Sequence, residues 1–206
     1  MSTIFFIRHA ETDMAGTFCG HSDPALNRRG LAQLEGLRDQ LHVEDISAVY
    51  SSDLRRSCET AQAIAEMFGV SCRVRPRLRE IDFGEWEGLA WEEIEQRDEV
   101  YARCWVTEYP RLPAPGGEDF ADFERRALDE VKFLTMEAEA LGRNIAVVTH
   151  AGVLRAVLCL LHGCSAEEAW ARTKEYCSII RHPLQIRTEE SPKPIGEVKE
   201  LQGEKV

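Results

Sequence analysis

The chain has 206 residues, 44% of them hydrophobic and 30% charged, with a formal net charge of −11. That length suffices for one well-buried α/β domain, and the acidic balance argues against a general binder of nucleic acid or of anionic membranes. No apolar run approaches the roughly 20 residues that span a bilayer. The N-terminus lacks the basic segment and long apolar stretch of a secretory signal, so a cytoplasmic location is expected. Seven cysteines, with no Cys-x-x-Cys pair, read as reduced thiols. His162-Gly163-Cys164 has no second ligand pair at zinc-type spacing, so it reads as a helix end with a semi-buried thiol, and no metal is expected.

Ile4-Phe5-Phe6-Ile7 is an unbroken apolar run that suits a strand covered on both faces of a parallel sheet, and it ends abruptly in Arg8-His9. Asp13 to Pro24, punctuated by Gly16, Gly20 and Pro24, is a loop placed over that strand end. Asn27 is a plausible cap for an amphipathic helix whose apolar stripe is Leu31, Leu34, Leu37 and Leu41. Ile46 to Ser51 reads as a second strand, with Ser51 or Ser52 available to cap the helix that follows and stops near Gly69. Arg55 and Arg56 lie in the first turn of that helix, where the backbone already carries partial positive charge. Two arginines there call for an anion, or for Asp53 and Glu59, to offset them, and the strand-to-helix context favours an anion site.

Val70 to Val74 is expected to be a short edge strand. Pro76 opens a shaped loop, Arg77 to Gly88, mixing carboxylates with Phe83 and Trp86; a carboxyl packed beside those rings suits a proton donor. Trp91 to Tyr101 is helical, and Tyr101 to Pro115 is an excursion suited to a lid or substrate wall. A turn at Pro115 to Glu118 leads into a long helix ending at Gly142. Ile145 to Thr149 is another buried-looking strand that ends in a histidine, His150, followed at once by a helix to Leu161. Ala166 to Thr173 is a short helix, and Tyr176–Arg181 with Leu184–Arg187 form a hairpin or two edge strands split by Pro183. Residues 1–188 are expected to form one domain and 189–206 a polar tail.

Two strands thus deliver histidines to the same kind of sheet edge, the edge at which ligands of parallel sheets bind. His9 and His150 with Arg8, Arg56 and helix N-termini suit a dianionic phosphate. Imidazole is a competent nucleophile when its other nitrogen is held as N–H. The sequence has no Gly-x-Ser-x-Gly elbow, no P-loop and no His-x-x-x-His pair.

Arg8-His9-Ala10-Glu11-Thr12, Ser52-Asp53-Leu54-Arg55-Arg56, Leu78-Arg79-Glu80 through Gly84, and His150-Ala151-Gly152 resemble, in order, the motifs of the histidine phosphatases, the phosphoglycerate mutase-like superfamily. The resemblance implies a three-layer α/β/α fold around a mostly parallel central sheet. It implies a metal-independent, cofactor-free phosphomonoesterase with His9 as nucleophile, Glu80 as acid and base, and Arg8, Arg56 and His150 on the phosphoryl group. Thr12, Phe18, Gly20 and His21 are the candidate substrate contacts. The loop at Phe18 to His21, the segment Ile81 to Trp86 and the region Trp105 to Glu118 look most like the α-ribazole phosphatase branch of cobalamin assembly. The implied partner is a small phosphorylated metabolite, α-ribazole 5'-phosphate first, with neither nucleic acid nor membrane; a homodimer stays open. A mutase-type phosphoryl transfer and a non-catalytic phosphate-binding protein are the alternatives. Ala10 and Ala151 stand where the family has glycine, and Ala15 where many members have asparagine. Alanine restricts φ and adds a methyl at the pocket floor, so a slower or narrower enzyme is expected.

Overall fold

The structure, a computed structural model, describes residues 2–184. Five strands, β1 (Thr3–Arg8), β2 (Ile46–Ser51), β3 (Cys72–Val74), β4 (Asn144–Thr149) and β5 (Ile179–Pro183), form one sheet in the order β3-β2-β4-β1-β5. All neighbours are parallel except β5, which runs antiparallel to β1. The helices are α1 (Arg28–Leu41), α2 (Arg55–Phe68), α3 (Trp91–Arg97), α4 (Glu99–Glu108), α5 (Phe120–Leu141), α6 (Ala151–Leu161) and α7 (Ala166–Thr173).

Side chains alternate between the faces of a strand. Ile4, Phe6, Ile145 and Val147 therefore meet α5 and α6 on one side, while Phe5, Ile7, Ala146 and Val148 meet α1 and α2 on the other. The result is the expected three-layer α/β/α arrangement. Arg8 pairs with Thr149, so β1 and β4 end level, and the His9 N–H donates to the Thr149 carbonyl at 2.9 Å. The two histidines leave the sheet side by side because the two strands share one register.

Some local expectations change. Asn27 does cap α1, accepting from the Gly30 N–H at 2.7 Å, but Leu31 is exposed. Gly30 takes the buried place in that turn, because its backbone lies so close to Glu11 that a Cβ would come within 2.1 Å of the Glu11 carbonyl oxygen. Neither Ser51 nor Ser52 caps α2; its N-cap is Leu54, and Asp23 reaches from the loop to accept the Arg55 N–H. An acidic group from elsewhere in the chain thereby supplies the charge that this helix end favours.

The helix expected at Trp91–Tyr101 breaks at Asp98, which caps α4 by accepting from the Tyr101 N–H, and the helix runs on to Glu108. Trp86, Ile94, Ala102 and Ala114 form a third apolar cluster there, with Phe18 packed against it. Pro183 is the last residue of β5, on the outer strand of the described sheet, where its missing N–H costs nothing; the expected strand at Leu184–Arg187 lies, apart from Leu184, outside the described residues. Residues 185–187 and the tail at 189–206 lie outside the described residues. Among the described residues, no helix is long and apolar enough to cross a membrane.

Candidate active site

His9 is buried at the end of β1, and its Nδ1 lies 2.7 Å from the Ala10 carbonyl. A carbonyl only accepts, so Nδ1 carries the proton and Nε2 keeps its lone pair. The Arg56 Nε–H donates to Nε2 at 3.2 Å, in keeping with that tautomer. Burial, then the charges of Arg56 and Arg8, hold His9 well below its ordinary value of 6.5, against the pull of the Ala10 hydrogen bond. His150 lies beside it, with ring centroids 5.0 Å apart, and is held low by burial, Arg56, His9 and Arg8. Its Nε2 meets Ser52 Oγ at 2.8 Å. Its Nδ1 is buried without a partner among the described residues.

Arg8 Nη1 donates to the carbonyls of Thr173, at 3.0 Å, and Lys174, and its guanidinium lies 4.0 Å from the Tyr176 ring centroid. Its buried Nε has no partner among the described residues. Arg8 and His150 thus bring two unspent polar groups to the pocket around His9, the arrangement an anion satisfies. Arg56 is fully buried and spends Nη1 and Nη2 on the carbonyls of Ser22, Cys19 and Gly20, leaving Nε directed at His9.

Glu80 is carried in by the segment after β3. Its Oε2 accepts the Gly152 N–H at 2.9 Å, in the first turn of α6, and Oε1 accepts its neighbour Ile81's N–H at 3.0 Å. It therefore sits two residues from His150. Phe83 and Trp86, the rings expected beside a proton donor, pack around Phe18 instead, at 4.9 and 5.7 Å between centroids. Phe18 is thus part of an aromatic wall. Gly20 is pressed so tightly that a Cβ would lie 2.1 Å from the Ile81 carbonyl oxygen. His21 Nε2 lies 3.1 Å from the Glu80 carbonyl and Nδ1 3.3 Å from Asp82. Thr12 is buried, and its hydroxyl accepts the Met14 N–H within its own turn.

The alanine replacements fit without strain. Cys177 is the one non-glycine residue with positive φ among those described, so Ala10 and Ala151 need no glycine conformation. Contrary to expectation, the Ala10 methyl joins the apolar cluster between the sheet and α1/α2 rather than the pocket floor. Ala151 occupies the first position of α6.

Residues 4–189 match the family model of the histidine phosphatase superfamily, branch 1. The chain belongs to this superfamily. Curated relatives include phosphoserine phosphatase 1 of Hydrogenobacter thermophilus, 32% identical over 83% of this chain and 81% of that one. The adenosylcobalamin/alpha-ribazole phosphatase of Escherichia coli is 30% identical over 81% of this chain and 82% of its own. Among solved structures, a mycobacterial glucosyl-3-phosphoglycerate phosphatase superposes with a TM-score of 0.73 at 26% identity, covering 87% of this chain and 89% of that one. This histidine phosphatase is accordingly a phosphoric monoester hydrolase.

Several residues of the histidine phosphatase site escaped the sequence reading. Glu87 accepts the N–H groups of Gly20, His21, Ser22 and Phe83. Burial works to raise its carboxyl, but these bonds prevail and hold it below the usual carboxylate range. The segment Cys19–Ser22 is thus gripped by its carbonyls through Arg56 and by its amides through Glu87. Arg126, on α5, forms a two-point pair with Glu118 and donates to the carbonyls of Arg77, Arg79 and Glu80, fixing the backbone that carries Glu80. Tyr176 lies under Arg8 and 5.6 Å from the His9 ring. The Trp-Glu-Gly at 86–88 beside the Glu80 segment was the one available hint of Glu87; Tyr176 lay unmarked at a presumed strand start. No group of three His, Cys, Asp or Glu side chains among the described residues is arranged to hold a metal.

Proposed function

We propose that this chain hydrolyses the phosphate monoester of a small metabolite through a covalent phosphohistidine on His9, with Arg8 and Arg56 supplying the positive charge and the neutral His150 a hydrogen bond. The observation that carries the reading is the tautomer of His9: the Ala10 carbonyl holds Nδ1 as N–H and leaves Nε2 nucleophilic, next to the unspent groups of Arg8 and His150. In the first step Nε2 bonds to phosphorus while the bond to the ester oxygen breaks. Glu80, entering protonated, gives its proton to that oxygen. In the second step water attacks phosphorus, Glu80 takes the proton, and phosphate leaves His9. On substrate binding the Arg56 Nε–H turns from His9 Nε2 to a phosphoryl oxygen, which frees the attacking lone pair, and with Arg8 and His150 it meets the charge that builds there. Phe18, Gly20 and His21 form the substrate wall, and Thr12 holds the turn behind them.

For the substrate, α-ribazole 5'-phosphate follows the likeness to the E. coli enzyme, and phosphoserine that to the Hydrogenobacter one. The test is hydrolysis of both, with sugar phosphates and 3-phosphoglycerate, in EDTA, beside His9→Ala. Turnover that survives EDTA, vanishes in His9→Ala and leaves an acid-labile phosphoryl group on the wild-type protein supports the reading. Turnover retained in His9→Ala overturns it, and transfer to a phosphorylated acceptor without hydrolysis would make the chain a mutase.

A further inference from the structure

Among the described residues, the arginines that are not exposed divide into two sets. Arg75, Arg79 and Arg126 each meet a carboxylate, on Glu130, Asp53 and Glu118. Arg8, Arg56 and Arg155 meet none among the described residues, in a chain with a net charge of −11. Arg8 and Arg56 are accounted for by the pocket around His9. Arg155 is not.

Arg155 lies on α6, three positions after Gly152, and so on the same side of the helix as the N–H that holds Glu80. Its Nε donates to Thr173 Oγ1 at 3.2 Å, and the carbonyl of that same buried threonine accepts from Arg8. Its guanidinium lies 3.7 Å from the Trp170 ring centroid. Stem and plane are therefore fixed, and neither Nη has an acceptor among the described residues. Arg155 thus stands on the face of α6 that holds Glu80, tied through Thr173 to Arg8, within reach of the charges of Glu80, Tyr109 and Arg8. Burial lowers this guanidinium from its ordinary value, while the charge of Glu80 acts to raise it.

We propose that Arg155 binds a carboxylate on the leaving group, so that the preferred substrates are phosphate monoesters of small hydroxy or amino acids. The inference rests on the phosphohistidine reading, in which Glu80 serves the leaving oxygen and whatever lies beside Glu80 meets the leaving group. Two Nη groups of one guanidinium match the two oxygens of one carboxylate. A single free cation also balances one carboxylate but leaves a second phosphate undercompensated. A neutral leaving group would desolvate Arg155 without giving it a partner.

O-phosphoserine and O-phosphoethanolamine differ only by the carboxylate, so their kcat/KM ratio reads the contact directly. Wild type should prefer phosphoserine. In Arg155→Met, which keeps a stem against Trp170, the ratio should fall about tenfold or more, mainly through KM. Arg155→Lys should recover part of it. A ratio in Arg155→Met within about twofold of wild type, or no preference in wild type, overturns the assignment. The same pair assayed with His9→Ala separates the two readings. Activity surviving there defeats the phosphohistidine mechanism, whereas its loss beside an unmoved Arg155→Met ratio defeats the carboxylate contact alone.

Discussion

Glycine at 152 sets where Glu80 can stand. A Cβ at that position would lie 2.1 Å from Glu80 Oε1 and 3.1 Å from the Phe123 ring, so the carboxylate rests in space that only glycine leaves free. Gly152→Ala should displace the carboxyl group and lower kcat about a hundredfold, the usual consequence of misplacing a reacting group by an ångström or so. Thermal unfolding should change little, which separates misplacement from misfolding. Glu80→Gln keeps the shape and removes the proton transfer, and should cost about 10²- to 10⁴-fold in kcat. Wild-type turnover in that variant would remove Glu80 from the mechanism.

The loop after β1 has little apolar anchorage except Phe18, and polar groups hold it instead. Arg56 takes three of its carbonyls and Glu87 three of its amides, with Phe83 N–H as the fourth donor to that carboxylate. Glu87→Ala would strand these amides. Hydrogen bonds to a charged group contribute about 1.5–3 kcal/mol each, and water recovers part of that at a half-buried site, so a net loss of about 2 kcal/mol is expected. The expected signature is limited proteolysis within residues 13–24 together with a higher KM, while the phosphoenzyme still forms. A loop as resistant as in wild type would show that Arg56 alone suffices.

Two neutral imidazoles inside the fold tie its stability to pH. His9 and His150 are both held well below 6.5 when folded, by burial first, and return to that value on unfolding. Below pH 6.5 the unfolded chain binds more protons than the folded one. Their contribution is therefore full above pH 6.5 and declines as the pH falls toward the folded values. Melting temperatures measured from pH 8 to pH 5 should drop, and His9→Asn with His150→Asn should flatten the decline. Orthovanadate, as a phosphoryl mimic, should stabilise the protein by about 2.7 kcal/mol at a hundred times its Kd, because only the folded chain unites Arg8, His9, Arg56 and His150. No shift in melting temperature would argue against a preformed anion site.

From the sequence it was possible to place the strands ending in His9 and His150, the helices behind them, and the arginine and glutamate candidates. Those features are written locally: the pleat and the helical turn impose short periods on apolar residues, and strand ends show as abrupt changes of polarity. The partners of polar groups have no such period. Ser52 meets His150 across 98 positions, Glu87 meets Gly20 across 67, and Arg126 meets Glu80 across 46. Arg155 stood in plain view beside the second histidine, yet that it lacks a carboxylate among the described residues, where the other inward arginines outside the pocket have one, emerges only when the chain is packed. Likewise Leu31 looked like core until Gly30 was found pressed against Glu11. Backbone periodicity is a property of neighbouring residues and survives in the sequence. Hydrogen-bond pairing and close approach belong to residues that only folding makes neighbours.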